Sequence, residues 1–422
     1  IHNGINEVMQ SFIFQLSEFE EHNESINLYL TLSNAENEYI TNLSYNIESF
    51  ELNVLNLQIG IDNNGNNILD PGETANANLE LSNEGTMASP SFICTVATQS
   101  EDLNISEEEI IEINTINPNQ TINSSYFNMD LDDTAFNGEI KIVDFSCQAD
   151  SGFNFEIEQD IEIGTVDEND PLGPDQYGYY IYDSGDTDYS LVPTYEWIDI
   201  ESIGTALSTV NDDDGNNQDD SQVINLPFPF TFYGETYQQI TVCSNGWISF
   251  GNSNMESFRN DHLPGPGGPS PMLAVFWDDL TADSGGAVYA YYDTNLHVYI
   301  IQWNNVKTYE DNSNESFQAI LFDSQFYTTP TGDGEILLQY EDFNNTSNGS
   351  YGGGTPQHGG YCSIGIEDHW GSTGLEYTFN NQYPNAAATL SDESALFITT
   401  RTSLLYAQPG IDLSDTSFEL NL

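Results

Sequence analysis

The chain has 422 residues, enough for two or three domains that each bury a substantial core. It carries 68 Asp and Glu against 4 Lys and Arg, a formal net charge of −64. Such a chain cannot neutralise phosphates, which excludes nucleic acid as a partner, and an anionic membrane surface repels it. No apolar run approaches the roughly 20 residues of a membrane helix, so membrane insertion is not expected either.

Hydrophobic residues make up 38%, with 24 Tyr and 23 Phe, which separates the chain from a disordered acidic tail. Self-repulsion among the carboxylates opposes compaction and is relieved by divalent cations or salt, which fits an ion-rich exterior. The sequence opens at Ile1 without an initiator Met or a signal peptide, so the native start is expected to lie upstream or to be processed. Cys94, Cys147, Cys243 and Cys362 form no CxxC pair, which argues against zinc or dithiol redox chemistry. An even count in a secreted chain predicts two disulfides, Cys94 with Cys147 and Cys243 with Cys362, each inside one domain. Buried free thiols are the alternative.

Helical periodicity is almost absent. Short apolar–polar alternations rich in Val, Ile, Thr, Tyr and Phe recur instead, broken by Asn, Asp and Gly. The fold expected is all-β, a tandem of β-sandwiches. Alternation at 11–16, 26–32 and 39–47 makes residues 1–52 a partial sandwich, the end of a preceding domain. Residues 53–165 hold about seven strands, the count of an immunoglobulin-like sandwich, with Cys94 and Cys147 on separate strands where a bridge would staple the two sheets. An acidic Pro/Gly linker at 165–175 follows. Residues 176–400 contain all five tryptophans and read as a larger jelly-roll-like sandwich, with one strand expected at 196–200. Residues 401–422 read as a tail or the first strand of a next domain, because Phe418, Leu420 and Leu422 alternate with polar residues.

The most specific local pattern is the loop 62–73. Asp62, Asn64, Asn66, Asp70 and Glu73 place side-chain oxygens at positions 1, 3, 5, 9 and 12, and Ile68 offers a carbonyl at 7. That is the oxygen spacing of an EF-hand-type calcium loop, and calcium is the cofactor expected. Asn67 stands where Gly is usual, and Asn tolerates the left-handed conformation. The alternative is a solvated turn that binds nothing. A second acidic loop, 211–221, gathers Asp212, Asp213, Asp214, Asp219 and Asp220 as a further candidate cation site without a fixed template.

In the large domain, PFTFYG at 229–234 leads to SNGWISFG at 244–251, in which Asn245 and Gly246 suit a tight hairpin turn because both accept positive φ. FRN at 258–260, a Pro/Gly loop at 263–271 and FWDDL at 276–280 follow. Arg259 is expected to pair with a carboxylate such as Asp278 or Asp279. Together with GYYIYD at 178–183, GDGEI at 332–336 and GIED at 365–368, this series resembles a non-catalytic module near the C-terminus of large secreted gingipain-like peptidases and type IX-secreted surface proteins. Its SNGW core is similar to the nidogen-type extracellular domain. The 62–73 loop resembles the "DPGE" start of immunoglobulin-like domains in the same proteins. The resemblance implies an extracellular or cell-surface location.

No HExxH, GxSxG or Cys/His signature of a known family is present, and the six histidines are scattered. Adjacent acids such as Asp278 and Asp279 carry no information among 68. The chain therefore reads as non-enzymatic: a structural or adhesive segment of a large secreted protein, filament-forming through copies of itself or neighbouring domains. The alternative is an accessory region that delivers a peptidase to surface glycans or proteins. Trp247, Trp277 and Trp303 lie in apolar strands and read as core; Trp370, in the loop 367–374, is the tryptophan expected to be exposed and available for a ligand.

Overall fold

A computed structural model of the chain describes residues 25–33, 38–46, 48–107, 109–150, 152–210, 219–282, 285–349 and 360–402. The expected strand at 11–16, the acids Asp212, Asp213 and Asp214, and the tail strand at 411–422 lie outside the described residues. The protein is all-β. Its chain divides into two compact units, Ile1–Ala135 with Glu139–Gly164, and Phe136–Gly138 with Thr165–Leu422.

The first unit is a two-sheet sandwich. One sheet runs, edge to edge, Asn154–Glu162, Ile140–Ala149, Phe92–Thr98, Ile110–Ile113; the other runs Leu52–Ile59, Thr74–Asn83, Phe127–Leu131, Leu103–Asn104, with Gln120–Asn123 also on Thr74–Asn83. Period-two alternation drives the packing: Phe92, Cys94 and Val96 point inward from one strand and Val143, Phe145 and Cys147 from its neighbour. They meet Leu79, Leu81 and Phe127 of the opposite sheet. Ser25–Ser33 and Glu38–Asn46 form a separate antiparallel hairpin. Ile26, Leu28 and Leu30 lie opposite Tyr45, Leu43 and Thr41, so one face is largely apolar, and Tyr45 and Leu43 are exposed.

The second unit is a larger sandwich. Its six-stranded sheet runs Ser221–Phe232, Glu235–Cys243, Trp247–Phe250, Met272–Trp277, Ser363–Glu367, Gly374–Thr378. Facing it is a sheet ordered Tyr180–Asp183, Ser394–Thr399, Ile336–Asp342, Asn314–Phe322, Val298–Thr308, Ala287–Asp293, Thr205–Ala206, with Leu280–Thr281 beside Val298–Thr308. The first strand pairs antiparallel with the last, Tyr180 opposite Thr399. Ile240, Val242, Leu273 and Ile364 from one sheet interlock with Ile301, Phe317, Leu338 and Ile398 from the other. Two hydrogen bonds cross this core: the Trp303 indole N–H donates to the Cys243 carbonyl at 2.9 Å, and the Tyr340 hydroxyl to the Val275 carbonyl at 2.8 Å.

The structure corrects several sequence expectations. Cys94 and Cys147 are bonded, but they sit directly opposite each other on neighbouring strands of one sheet, so the bridge does not join the two sheets. Cys243 and Cys362 are separate buried thiols. Two whole strands lie between the strand that ends at Cys243 and the one that follows Cys362, and a disulfide cannot span that gap. The two thiols also face opposite sides of the sheet, Cys362 in the inter-sheet core and Cys243 among Trp247, Met272 and Trp277. Residues 196–200 form no strand, because side-chain amides take the place of a ladder. The Gln339 amide donates to the Glu196 carbonyl at 2.9 Å, and Gln302 Oε1 accepts the Ile200 N–H at 2.9 Å. Arg259 lies over the Phe258 ring at 5.3 Å and pairs with neither Asp278 nor Asp279.

Non-reducing peptide mapping is expected to find the Cys94–Cys147 bridge alone, with Cys243 and Cys362 alkylated only after denaturation. A closed loop with a sequence separation of 53 stabilises by about 4 kcal/mol in the chain-entropy treatment, so reduction should lower the melting of the first unit.

Candidate functional site

The SNGW motif holds the second unit together. The strand Met272–Trp277 is buried at every position, because both of its faces are covered. On its outer face the segment from Ser257 through the Pro/Gly loop lies across Trp247 and Trp277, whose indole N–H groups both donate to the Ser257 carbonyl, at 2.9 and 3.0 Å. Gly267 permits this approach, since a Cβ there would sit 3.0 Å from the Trp277 ring. Of the turn residues, only Gly246 has positive φ (74°), and a Cβ there would collide with the Phe276 carbonyl. Asn245 is instead a buried linchpin: its Oδ1 accepts the Leu280 N–H at 2.9 Å, and its Nδ2 donates to Asp219 Oδ1 at 3.0 Å and to the Glu256 carbonyl at 3.3 Å. Asp219, a candidate ligand of the second acidic loop, thus serves the motif, and burial pushes its carboxyl up to about 6. Asp220 meets Ser244 through its main chain at 2.9 Å.

A rigid exposed aromatic stands on this sandwich. Asp368 Oδ1 accepts the N–H groups of Trp370, Ser372 and Thr373 at 3.2, 2.9 and 3.2 Å, which fixes the loop. Buried Glu367 lashes that loop to the Pro/Gly loop, accepting Gly265 N–H at 2.9 Å and the Ser270 hydroxyl at 2.7 Å. Trp370 is 78% exposed, with His369 4.8 Å away. Trp247, Trp277 and Trp303 are fully buried.

In the first unit the loop 62–73 closes on its own acids. Asp62 (8% exposed) accepts the N–H groups of Gly65 and, at 2.6 Å, Asn67; Glu73 (4% exposed) accepts those of Asn63 and Asn64 at 2.7 and 3.0 Å and of Asp70 at 3.1 Å. Asn67 takes the left-handed φ of 62° that the missing glycine would have supplied. The side-chain amides of Asn64 and Asn66 converge on one oxygen, Asp70 Oδ2, at 2.6 and 2.7 Å. Ile68 donates its N–H to Asn66 Oδ1 at 2.8 Å, and among the described residues its carbonyl accepts no hydrogen bond. An open groove of about 630 Å³ adjoins the loop, bordered by Asp62, Asn76, Glu109, Asn128 and Asp130. Among the described residues no three His, Cys, Asp or Glu side chains converge as a preformed metal centre.

A third group escaped sequence reasoning. Asp170, Asp183 and Asp186 are buried together behind Tyr182, Tyr189 and Tyr377. Burial, with Asp183 and Asp170 nearby, raises the Asp186 carboxyl to about 8. The signal was the DSGD spacing at 183–186, invisible against so many acids.

Residues 188–406, slightly more than half of the chain, match the family described as NIDO related. The match includes SNGW, the Pro/Gly loop, FWDDL and the Trp370 loop.

Asn245→Ala would leave the Leu280 N–H buried without an acceptor, which costs about 2–3 kcal/mol. Denaturant unfolding is expected to show that loss, and a variant within 0.5 kcal/mol of the parent would mean that the motif does not hold the strands.

Proposed function

The chain belongs to the NIDO-related family, and from that premise we propose that it is an extracellular structural or adhesive segment of a larger surface protein, with no catalytic centre of its own. The observation that carries the reading is the use made of its most conspicuous motif: Asn245, Gly246, Trp247, Trp277 and the Pro/Gly loop are all consumed in closing the sandwich. The Cys94–Cys147 bridge favours an oxidising exterior. The parent in this reading is a gingipain-like peptidase or another cargo of the type IX route.

Calcium is the cofactor of the first unit in this proposal, bound by Asp62, Asn64, Asn66, Asp70 and Glu73 with the Ile68 carbonyl. Two amide nitrogens converging on one Asp70 oxygen mark a point where positive charge is wanted, and a cation with the amides turned would satisfy it. Saturation at ~100 times the dissociation constant adds roughly 2.7 kcal/mol. Melts in calcium and in EDTA are expected to differ, and Asp62→Ala to remove the first unit's share of the difference; identical midpoints for the parent would refute the site.

The apolar face of the Ser25–Asn46 hairpin supports assembly, with the 411–422 segment of a second copy as the added strand. Head-to-tail addition need not close and builds filaments. Electron microscopy in calcium is expected to show them, and to lose them on deletion of 411–422; monodisperse monomers at high concentration would rule this out.

Exposure of Trp370 on a fixed loop supports the second reading, a glycan- or protein-binding accessory module. Trp370→Ala should alter stability by less than about 0.5 kcal/mol while abolishing glycan-array binding. An array with no signal for the parent removes the glycan form of this reading.

A further inference from the structure

Three buried acids at the end of the Tyr180–Asp183 strand have no part in the sites above. Asp183 is fully engaged: Oδ1 accepts Gly185 N–H at 2.6 Å, and Oδ2 accepts Ala388 N–H at 2.9 Å and the Tyr377 hydroxyl at 2.8 Å. Asp170 accepts the Tyr189 hydroxyl at 2.6 Å, the Asn137 amide at 3.2 Å and Asp167 N–H at 2.9 Å. Asp186 differs. It is 0% exposed, its Oδ2 accepts Asp183 N–H at 2.8 Å, and among the described residues its Oδ1 has no hydrogen-bond partner. A buried carboxylate oxygen left unpaired beside two further carboxylates is strongly unfavourable unless the group takes up a proton or a cation meets it. Among the described residues no Lys or Arg side chain does so. Lys141 is held by Asp102 and Glu139, Arg401 by Glu335, Arg259 lies on Phe258, and Lys307 stands on Val298–Thr308, with three strands of the sheet between it and Tyr180–Asp183.

We propose that Asp186 Oδ1 anchors an internal calcium site flanked by Asp170 and Asp183. Every donor at hand is an oxygen, which selects a hard cation. The three carboxylates do not converge on one point, so main-chain carbonyls and water complete the shell. Calcium accepts such an irregular set of six to eight oxygens, whereas magnesium demands a regular octahedron. The Glu168 carbonyl stands beside the 183–186 turn, 3.4 Å from where a Cβ on Gly185 would lie. The ion joins the 167–170 turn, the 183–189 turn and Ala388, which come from opposite ends of this unit's sequence.

The test is calcium titration of the full chain by calorimetry, with melting in calcium and in EDTA. Asp186→Asn is expected to lose one calcium equivalent and the corresponding calcium-dependent rise in melting temperature. In EDTA it should melt no lower than the parent, because a neutral amide relieves the repulsion. Asp62→Ala must leave that equivalent in place, which separates this site from the 62–73 loop. If Asp186→Asn does not fold, Asp170→Asn is read in the same way. A variant that retains the parent's full calcium complement, or that melts lower by the same amount with and without calcium, overturns the proposal.

Discussion

With four cationic side chains against sixty-eight carboxylates, buried acids in this protein have to be held by neutral donors. Half-buried Asp175 accepts the N–H groups of Tyr177, Gly178 and Tyr179 and the Tyr233 hydroxyl. Asp333 accepts the hydroxyls of Tyr177 and Tyr179 and the Gly234 N–H. Glu315 takes the N–H groups of Asn344 and Asn345 and the Ser313 hydroxyl. Several N–H groups aimed at one carboxylate stabilise its charge without an ion pair. Because those donors belong to turns, each such acid also fixes a stretch of backbone. The acids are thus architectural, and the high tyrosine content supplies hydroxyls where amides do not reach.

The same constraint explains where cations matter. Lys141 and Arg401 each close an ion pair, and both draw in carboxylates that are largely buried. At the 62–73 loop neutral amides already surround the acids, so a cation would trade places with them. At Asp186 the neutral donors run out.

Much of the architecture was legible in the residues. Strands such as Phe92–Thr98 and Ile140–Ala149 show the inward–outward alternation that their letters announce, and the buried tryptophans were readable from their apolar neighbours. What escaped depends on order in space. Parity of cysteines cannot tell that two strands separate Cys243 from Cys362. An apolar rhythm at 196–200 cannot tell that glutamine side chains would replace a neighbouring strand. Asn245 read as a turn former, yet its left-handed capacity goes unused and its amide does the holding. Asp186 was hidden by abundance, since one acid among so many is distinguished only by what fails to touch it.

The pairing of Tyr180–Asp183 with Ser394–Thr399 has a mechanical consequence. Because Tyr180 lies opposite Thr399, the backbone enters and leaves the second sandwich on adjacent strands at the same end, roughly 5 Å apart. Tension applied across Tyr180 and Thr399 would peel this pair bond by bond, with the load never spread across the sheet. While folded, the unit adds almost nothing to contour length.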